Sequence, residues 1–296
     1  MESLETSTTQ TPNYLGEEIQ QLITAITEVM AVEKIICFGN TIHRVVRKSC
    51  FEEIRPENGV AQNSYSLLVI PTADNTLHMA IAQQRIEEAT KSVAAVIAIV
   101  HPMEEVNAAL QNGSTFFTSI YKNGTLIHDR NELSFAVPSE GKPIAARITK
   151  REKFWDKWHA LAKGFLQGAT FYRTVEQPNL AVYLLHQAVQ HCYAGMLRVL
   201  TGYRTNSNGL NRLLRLIDAT VSYPAIALPR QTEEDIRLTG ILLKGHSDAR
   251  YKDSFEATPE DVMKLMNCVT TIIDAADRRC RERIQQLKDG KVAYVA

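Results

Sequence analysis

The stretch 179–203, NLAVYLLHQAVQHCYAGMLRVLTGY, constrains the fold more than any other part of the chain. Ala181, Leu184, Leu185, Ala188, Cys192, Leu197 and Leu200 recur mostly at three- and four-residue intervals. In a helix of about 3.6 residues per turn this spacing makes one apolar face, which has to be buried against other elements. Pro178 stands at the first turn, where its missing N–H costs little, and Gly202 can end the helix in a left-handed conformation. His186, Gln187, Gln190, His191 and Arg198 fall on the other faces. The expectation is the central member of a helical bundle, with one polar edge exposed.

Partners for that helix are legible in the same half of the chain. Phe154, Trp158, Leu161, Ala162, Phe165, Ala169 and Tyr172 form a stripe that predicts a helix over about 152–175, with Trp155 and Trp158 as core or interface aromatics. Leu210, Leu213, Leu214 and Ile217 mark a third helix, and Gln231 or Thr232 caps a fourth that reaches about Lys244. Thr258-Pro259-Glu260-Asp261 opens the last helix, with threonine as N-cap, proline in the first turn and acids near the positive end. Its apolar positions run from Val262 to Ala276, and the helix to about Leu287. Arg278, Arg279, Arg281 and Arg283 follow, interleaved with Asp274, Asp277 and Glu282, which reads as a solvated face rather than an RNA-binding strip.

The first half has a different rhythm. Residues 1–13 are a polar tail, and a helical pattern then runs through Leu15, Ile19, Leu22, Ile23, Ile26 and Met30. KIICF at 34–38 reads as a buried strand closed by Gly39-Asn40-Thr41. An irregular stretch with a loop at 55–59 leads to a second strand, SYSLLVI at 64–70. A helix over 76–90, a strand over 93–100, helices at 103–110 and 115–121 and a strand at 125–129 complete an α/β layer structure, with His128 and Asp129 assigned to turn chemistry. The segment 132–150, with Pro138, Gly141 and Pro143, has linker composition. The expected domains are therefore 14–148 (α/β) and 149–296 (all-α), a division that suits 296 residues.

Two resemblances attach to these patterns. Leu185-His186-Gln187-Ala188, Leu197, Leu200 and Thr201-Gly202-Tyr203 resemble the signature of HEPN domains. That likeness covers about 151–283 and implies a five-helix bundle, usually dimeric, linked to nucleotide binding or to RNA cleavage. The order of elements in 14–148 resembles the nucleotidyltransferase fold, whose domains often accompany HEPN bundles. Active members end the first strand in Gly-Ser, which holds the triphosphate. Their second strand carries two carboxylates one residue apart, and a later strand carries a third. Alternate strand residues face one side, so such a pair can share the divalent ions that clamp a phosphoryl displacement.

The matching positions here are Gly39-Asn40 and Ser64-x-Ser66, and the strand for the third carboxylate contains no acid. Hydroxyls are poor magnesium ligands compared with carboxylates, so neither a metal site nor catalytic residues are assigned, and magnesium is expected to add little. One reading gives Gly39, Asn40, Ser64 and Ser66 a nucleotide phosphate to cradle. The other makes them a tight turn and remnants of a lost site. His43 and Arg44 after the turn either meet an anion or are simply solvated. Lys244, His246, Arg250 and Tyr251, with Lys252, form either an anion pocket before the last helix or a tie between helices. HEPN ribonucleases carry arginine, four to six residues, then histidine; none of the eight histidines here has an arginine at that distance upstream.

The function expected is therefore a non-catalytic, nucleotide-binding pseudoenzyme: a degenerate nucleotidyltransferase-like domain fused to a HEPN bundle, forming a homodimer through the helices. The resemblance supplies the homodimer. Alternatives are an active nucleotidyltransferase that recruits Glu104 or Glu105, and an interaction scaffold with no small ligand. A formal net charge of zero argues against a surface tuned for RNA. Five scattered cysteines without a CxxC pair fit reduced thiols, and no apolar run is long enough to span a bilayer, so a cytoplasmic location is expected.

Overall fold

The computed structural model describes residues 13–42, 46–49, 52–55, 63–140, 143–205, 209–220 and 227–291. Of these, residues 13–42, 46–47, 63–107 and 124–135 belong to one compact unit, and residues 48–49, 52–55, 108–123 and 136–291 to a second.

The first unit holds most of a mixed α/β sheet structure. Strands β1 (Val32–Ile42), β2 (Val46–Ser49), β3 (Glu52–Arg55), β4 (Ser64–Pro71), β5 (Ala95–Val100) and β6 (Thr125–Asp129) follow one another in the chain. Their order in the sheet is β3-β2-β1-β4-β5, with β6 also paired to β1. β1 runs antiparallel to both β4 and β6, whereas β4 and β5 are parallel. β2 and β3 lie where an irregular stretch is expected, because VRKS and EEIR lack an apolar alternation that reveals a strand. Of the loop expected at 55–59, residues 56–59 lie outside the described residues.

Helices α1 (Asn13–Val29) and α2 (Met79–Ala89) bury Leu22, Ile26, Ala82 and Ile86 in the same core as Tyr65, Leu67 and Val69 of β4. The alternate residues of β4, Ser64, Ser66, Leu68 and Ile70, therefore point to the other side of the sheet. At the start of β1, two residues oppose one step of β4 between Val32 and Lys34, and the extra residue is Glu33. Glu33 accepts the backbone N–H groups of Glu132 and Leu133 at 3.0 and 2.7 Å. Lys34 donates to Asp129, which holds that carboxyl below the usual range. Asp129 thus does more than the turn chemistry expected of it: besides bonding Asn131 N–H, it is a cross-strand ion-pair partner of β1.

The second unit is helical, with α4 (Thr115–Asn123), α5 (Ile144–Thr174), α6 (Pro178–Thr201), α7 (Leu210–Thr220), α8 (Glu233–Lys244), α9 (Asp248–Tyr251) and α10 (Pro259–Lys288). α6 is its centre and packs against α5, α7, α8, α9 and α10. Pro178 opens it and Gly202 ends it with φ +82°, both as the sequence predicts. The exposed polar edge is absent: between 181 and 201 every residue is buried or half-buried. His186 is buried because its Nδ1 lies 2.9 Å from the Leu242 carbonyl, and a polar ring with a partner can enter a core.

α5 begins inside the expected linker. Pro143 serves as its N-cap rather than as a breaker, a role that proline fills without loss because helix starts have free N–H groups. The buried line of α5 is Ile148, Trp155, Ala162 and Ala169, one residue every seven. That line shares Ala162 and Ala169 with the expected stripe but is rotated toward Trp155, which is 0 % exposed while Leu161 is 40 % exposed. Small residues permit this packing. A β-carbon on Gly195 would stand 2.8 Å from Trp158 Cβ and 3.3 Å from Trp155 Cζ3.

Charges join the helices as well. Arg279 and Arg283 are each 8 % exposed while Arg278 and Arg281 are exposed, so the arginine run is only in part the solvated face expected. Arg281 reaches Asp277 on its own helix and Asp156 on α5, at 3.1 and 3.2 Å. Arg237 of α8 bonds Asp261 of α10 at 2.6 Å, and Asp261 completes a capping box with Thr258. The Arg237 guanidinium lowers the Asp261 carboxyl from 3.8 to about 2, against the opposing effect of burial. A carboxyl depressed in the folded state stabilises it above the ordinary pKa and loses that effect as pH falls toward the folded value. Unfolding by urea is expected to show about 2 kcal/mol lost between roughly pH 4 and pH 2 from this group. Asp261→Asn should flatten the pH dependence in that window; an unchanged slope would assign the acid sensitivity elsewhere.

Candidate functional site

The strand register decides what the first group of candidate residues can do. Cys37 pairs with Leu67 and Gly39 with Ser66, so Phe38 is an extra residue in a second bulge of β1. Beyond it Asn40 pairs with Tyr65 and Thr41 with Ser64. Directly opposed residues of an antiparallel pair share a face. Gly39, Thr41, Ser64 and Ser66 are therefore neighbours on one side. Asn40 faces the opposite side with Tyr65, whose hydroxyl donates to Glu18 at 2.9 Å. The turn expected at Gly39-Asn40-Thr41 is not formed, because β1 continues to Ile42 and its backbone is engaged in the ladder. His43 and Arg44 lie outside the described residues.

On the parallel side, Ser64 lies beside Ala95 and Ser66 beside Ile97. The patch is thus built from Gly39, Thr41, Ser64, Ser66, Ala95 and Ile97, with hydroxyls and no carboxylate. Glu104 and Glu105 stand in the first turn of α3 (Met103–Gln111), and Glu105 is engaged by His101 Nδ1 at 2.9 Å. Among the described residues no group of three or more His, Cys, Asp or Glu could hold a metal ion. Nor is there an activated thiol among Cys37, Cys192, Cys268 and Cys280: burial pushes Cys37 and Cys268 up to about 11 and Cys192 to about 12, and raises Cys280 as well.

The second group lies in the helical unit, and here the structure brings three of the four candidates together. Gly245 packs against Val182, where a β-carbon would come within 2.9 Å of Val182 Cγ1. That close approach sets the next residue, His246, beside His186 and Tyr183 of α6, with ring centres 5.5 and 6.0 Å apart. Arg250 donates to the His246 carbonyl at 2.8 Å, and its guanidinium lies 5.4 Å from the Tyr183 ring and 4.7 Å from the Tyr251 ring. Tyr251 is 75 % exposed, so one end of this stack is open to a flat ligand. Lys252 pairs with Asp248 at 2.9 Å, and Lys244 is exposed at the end of α8.

Tyr183 and His186 are members of the stack that the sequence does not announce as site residues. Their three-residue spacing puts them on one side of α6, which is a usable signal only once α9 is known to cross that side. Burial lowers the pKa of His186, with the neighbouring His246 acting in the same direction and the Leu242 carbonyl opposing both. The ring is therefore neutral at neutral pH and acts as an uncharged support for His246. The two candidate groups belong to different units, and each is a site by itself.

Compared with known families, residues 155–279 match the model of the HEPN domain. No curated protein matches the chain. The matched residues lie within the helical unit, which is similar to a HEPN domain there, and the sheet unit is a mixed α/β structure. No helix among the described residues is long and apolar enough to cross a membrane.

Proposed function

We propose that the protein binds a nucleotide without transferring its phosphoryl or nucleotidyl group, the sheet unit being a nucleotidyltransferase-like domain that has lost its metal ligands. The carrying observation is the register patch of Gly39, Thr41, Ser64, Ser66, Ala95 and Ile97, in which every position available to a paired carboxylate holds a hydroxyl or an apolar side chain. Two magnesium ions without carboxylates would leave their charge uncompensated. Nucleotide binding itself is supported by the stack of Tyr183, His246, Arg250 and Tyr251. Tyr251 offers a face for a base, and Arg250, Lys244 and Lys252 offer cations for phosphates.

Titration calorimetry with ATP and GTP, with and without magnesium, tests this reading. Saturable binding is expected, with magnesium changing the affinity less than about threefold and labelled triphosphate recovered intact. Arg250→Ala should weaken binding about tenfold, the effect of losing one charge-assisted contact. Metal-dependent transfer to any acceptor would overturn the proposal in favour of an active transferase. No binding at all would leave an interaction scaffold. The homodimer belongs to the same reading and finds support in Leu161 and Phe171 on α5 and Val175 at its C-cap, which stay exposed. Sedimentation velocity reads it directly.

A further inference from the structure

At the other end of α6, about 18 Å along the helix from His186, lies a cluster of arginines with an unusual property. Arg147 and Arg151 stand one turn apart on α5, and Arg198 lies near the end of α6. Arg283 of α10 completes the group, and the charges of Arg283, Arg147 and Arg198 all press on Arg151. Elsewhere in the helical unit arginines meet acids, as in Arg237 with Asp261 and the buried Arg279 with Glu282. Arg147, Arg151 and Arg198 have no carboxylate partner among the described residues. Glu152, their neighbour in sequence, is taken by Lys288 at 2.6 Å.

The unpaired groups are specific atoms. Arg147 Nε, Arg151 Nη1 and Thr118 Oγ1 are buried and have no hydrogen-bond partner among the described residues. Arg151 Nη2 donates to Thr115 Oγ1 at 3.2 Å, and the Arg198 guanidinium is held over the Phe154 ring at 5.3 Å. Thr115 and Thr118 form the first turn of α4, a nine-residue helix whose positive end adds to the same field. The end of α6 can reach this turn only because residue 202 is glycine: a β-carbon there would stand 2.2 Å from Thr115 Oγ1. Burial, and then the three cationic neighbours, push Arg151 down to about 10. Like charges gathered out of water destabilise a fold unless an anion neutralises them.

We propose that Arg147, Arg151, Arg198 and Arg283, with Thr115 and Thr118, form a binding site for a phosphate group. A phosphate dianion brings two charges and several acceptor oxygens, enough for guanidinium forks arriving from three helices and for a hydroxyl. A carboxylate brings one charge and would leave the cluster strongly cationic. The unsatisfied atoms are shielded from water, which suits a small anion or the terminal phosphate of a metabolite rather than the backbone of a nucleic acid. This site is separate from the stack at Tyr183 and Arg250, and it does not depend on nucleotide binding there.

Thermal unfolding of the full chain, purified in phosphate-free chloride buffer, provides the test. Sodium phosphate, pyrophosphate and ATP are each added, against sodium chloride of equal ionic strength. Phosphate or pyrophosphate at saturation is expected to raise the midpoint by about 5 °C beyond the chloride control. Arg151→Met should abolish that rise while melting at or above the wild-type midpoint without the anion, because an uncompensated cation has been removed. Thr118→Val, a mild change, should reduce the response severalfold and decides the matter if Arg151→Met does not fold. Arg250→Ala should keep the full phosphate response. An ATP response lost in Arg151→Met and kept in Arg250→Ala would identify the phosphate as a nucleotide's. A rise that survives both Arg151→Met and Thr118→Val, or no rise over chloride in the wild type, would overturn the proposal.

Discussion

Leu185→Asp is expected to give a chain whose helical unit does not fold, with no cooperative thermal transition and with helical circular dichroism lost. Leu185 is 0 % exposed on the helix that packs against α5, α7, α8, α9 and α10. The buried neighbours one turn away on the same helix are Ala181, Val182, Ala188 and Val189, none of which can pair with a carboxylate. An unpaired charge in such surroundings costs several kcal/mol, comparable with the whole stability of a domain. Leu185→Ala provides the graded control, at about 3 kcal/mol from lost burial and the cavity left behind. A soluble aspartate variant with an unchanged midpoint would mean that this face of α6 is open to water.

The second large effect is expected at Trp155. Its ring is fully buried and its indole N–H donates to Asp277 at 2.6 Å, linking α5 to α10. Trp155→Ala removes the largest of the fully buried side chains and should destabilise the helical unit by about 4 kcal/mol. Trp155→Phe keeps most of the ring and loses the hydrogen bond, for about 1 kcal/mol. Asp277 retains Arg281 at 3.1 Å in either variant, so it is not stranded. Equal losses in the two variants, measured by urea unfolding, would show that the hydrogen bond rather than the packed volume carries the effect.

The candidate sites were legible to different depths. His246, Arg250 and Tyr251 stand close together in the chain, so a local reading could group them; Tyr183 and His186 join only through the Gly245 contact with Val182. The sheet patch was legible as residue types, serines where a metal site wants acids. It was not legible as geometry, since the bulge at Phe38 sends Asn40 to the other face and continues a strand through the expected turn. The arginines at 147, 151 and 198 gave no signal, and Arg283 was visible only as part of the arginine run of the last helix. They come from three helices, and each looks like an ordinary surface cation in its own segment.

Local chemistry fixes whatever depends on neighbours along the chain. Pro178, Gly202, Thr258 and Pro259 set helix ends because capping is settled within one turn, and apolar periodicity located the central helix and most of the strands. Tertiary structure decided how deeply each face is buried, which strand residues share a side, and which charges remain without a partner. Those properties depend on elements far apart in sequence, brought together by the total burial of apolar surface. No single segment contains the information about which arginine finds an acid and which does not.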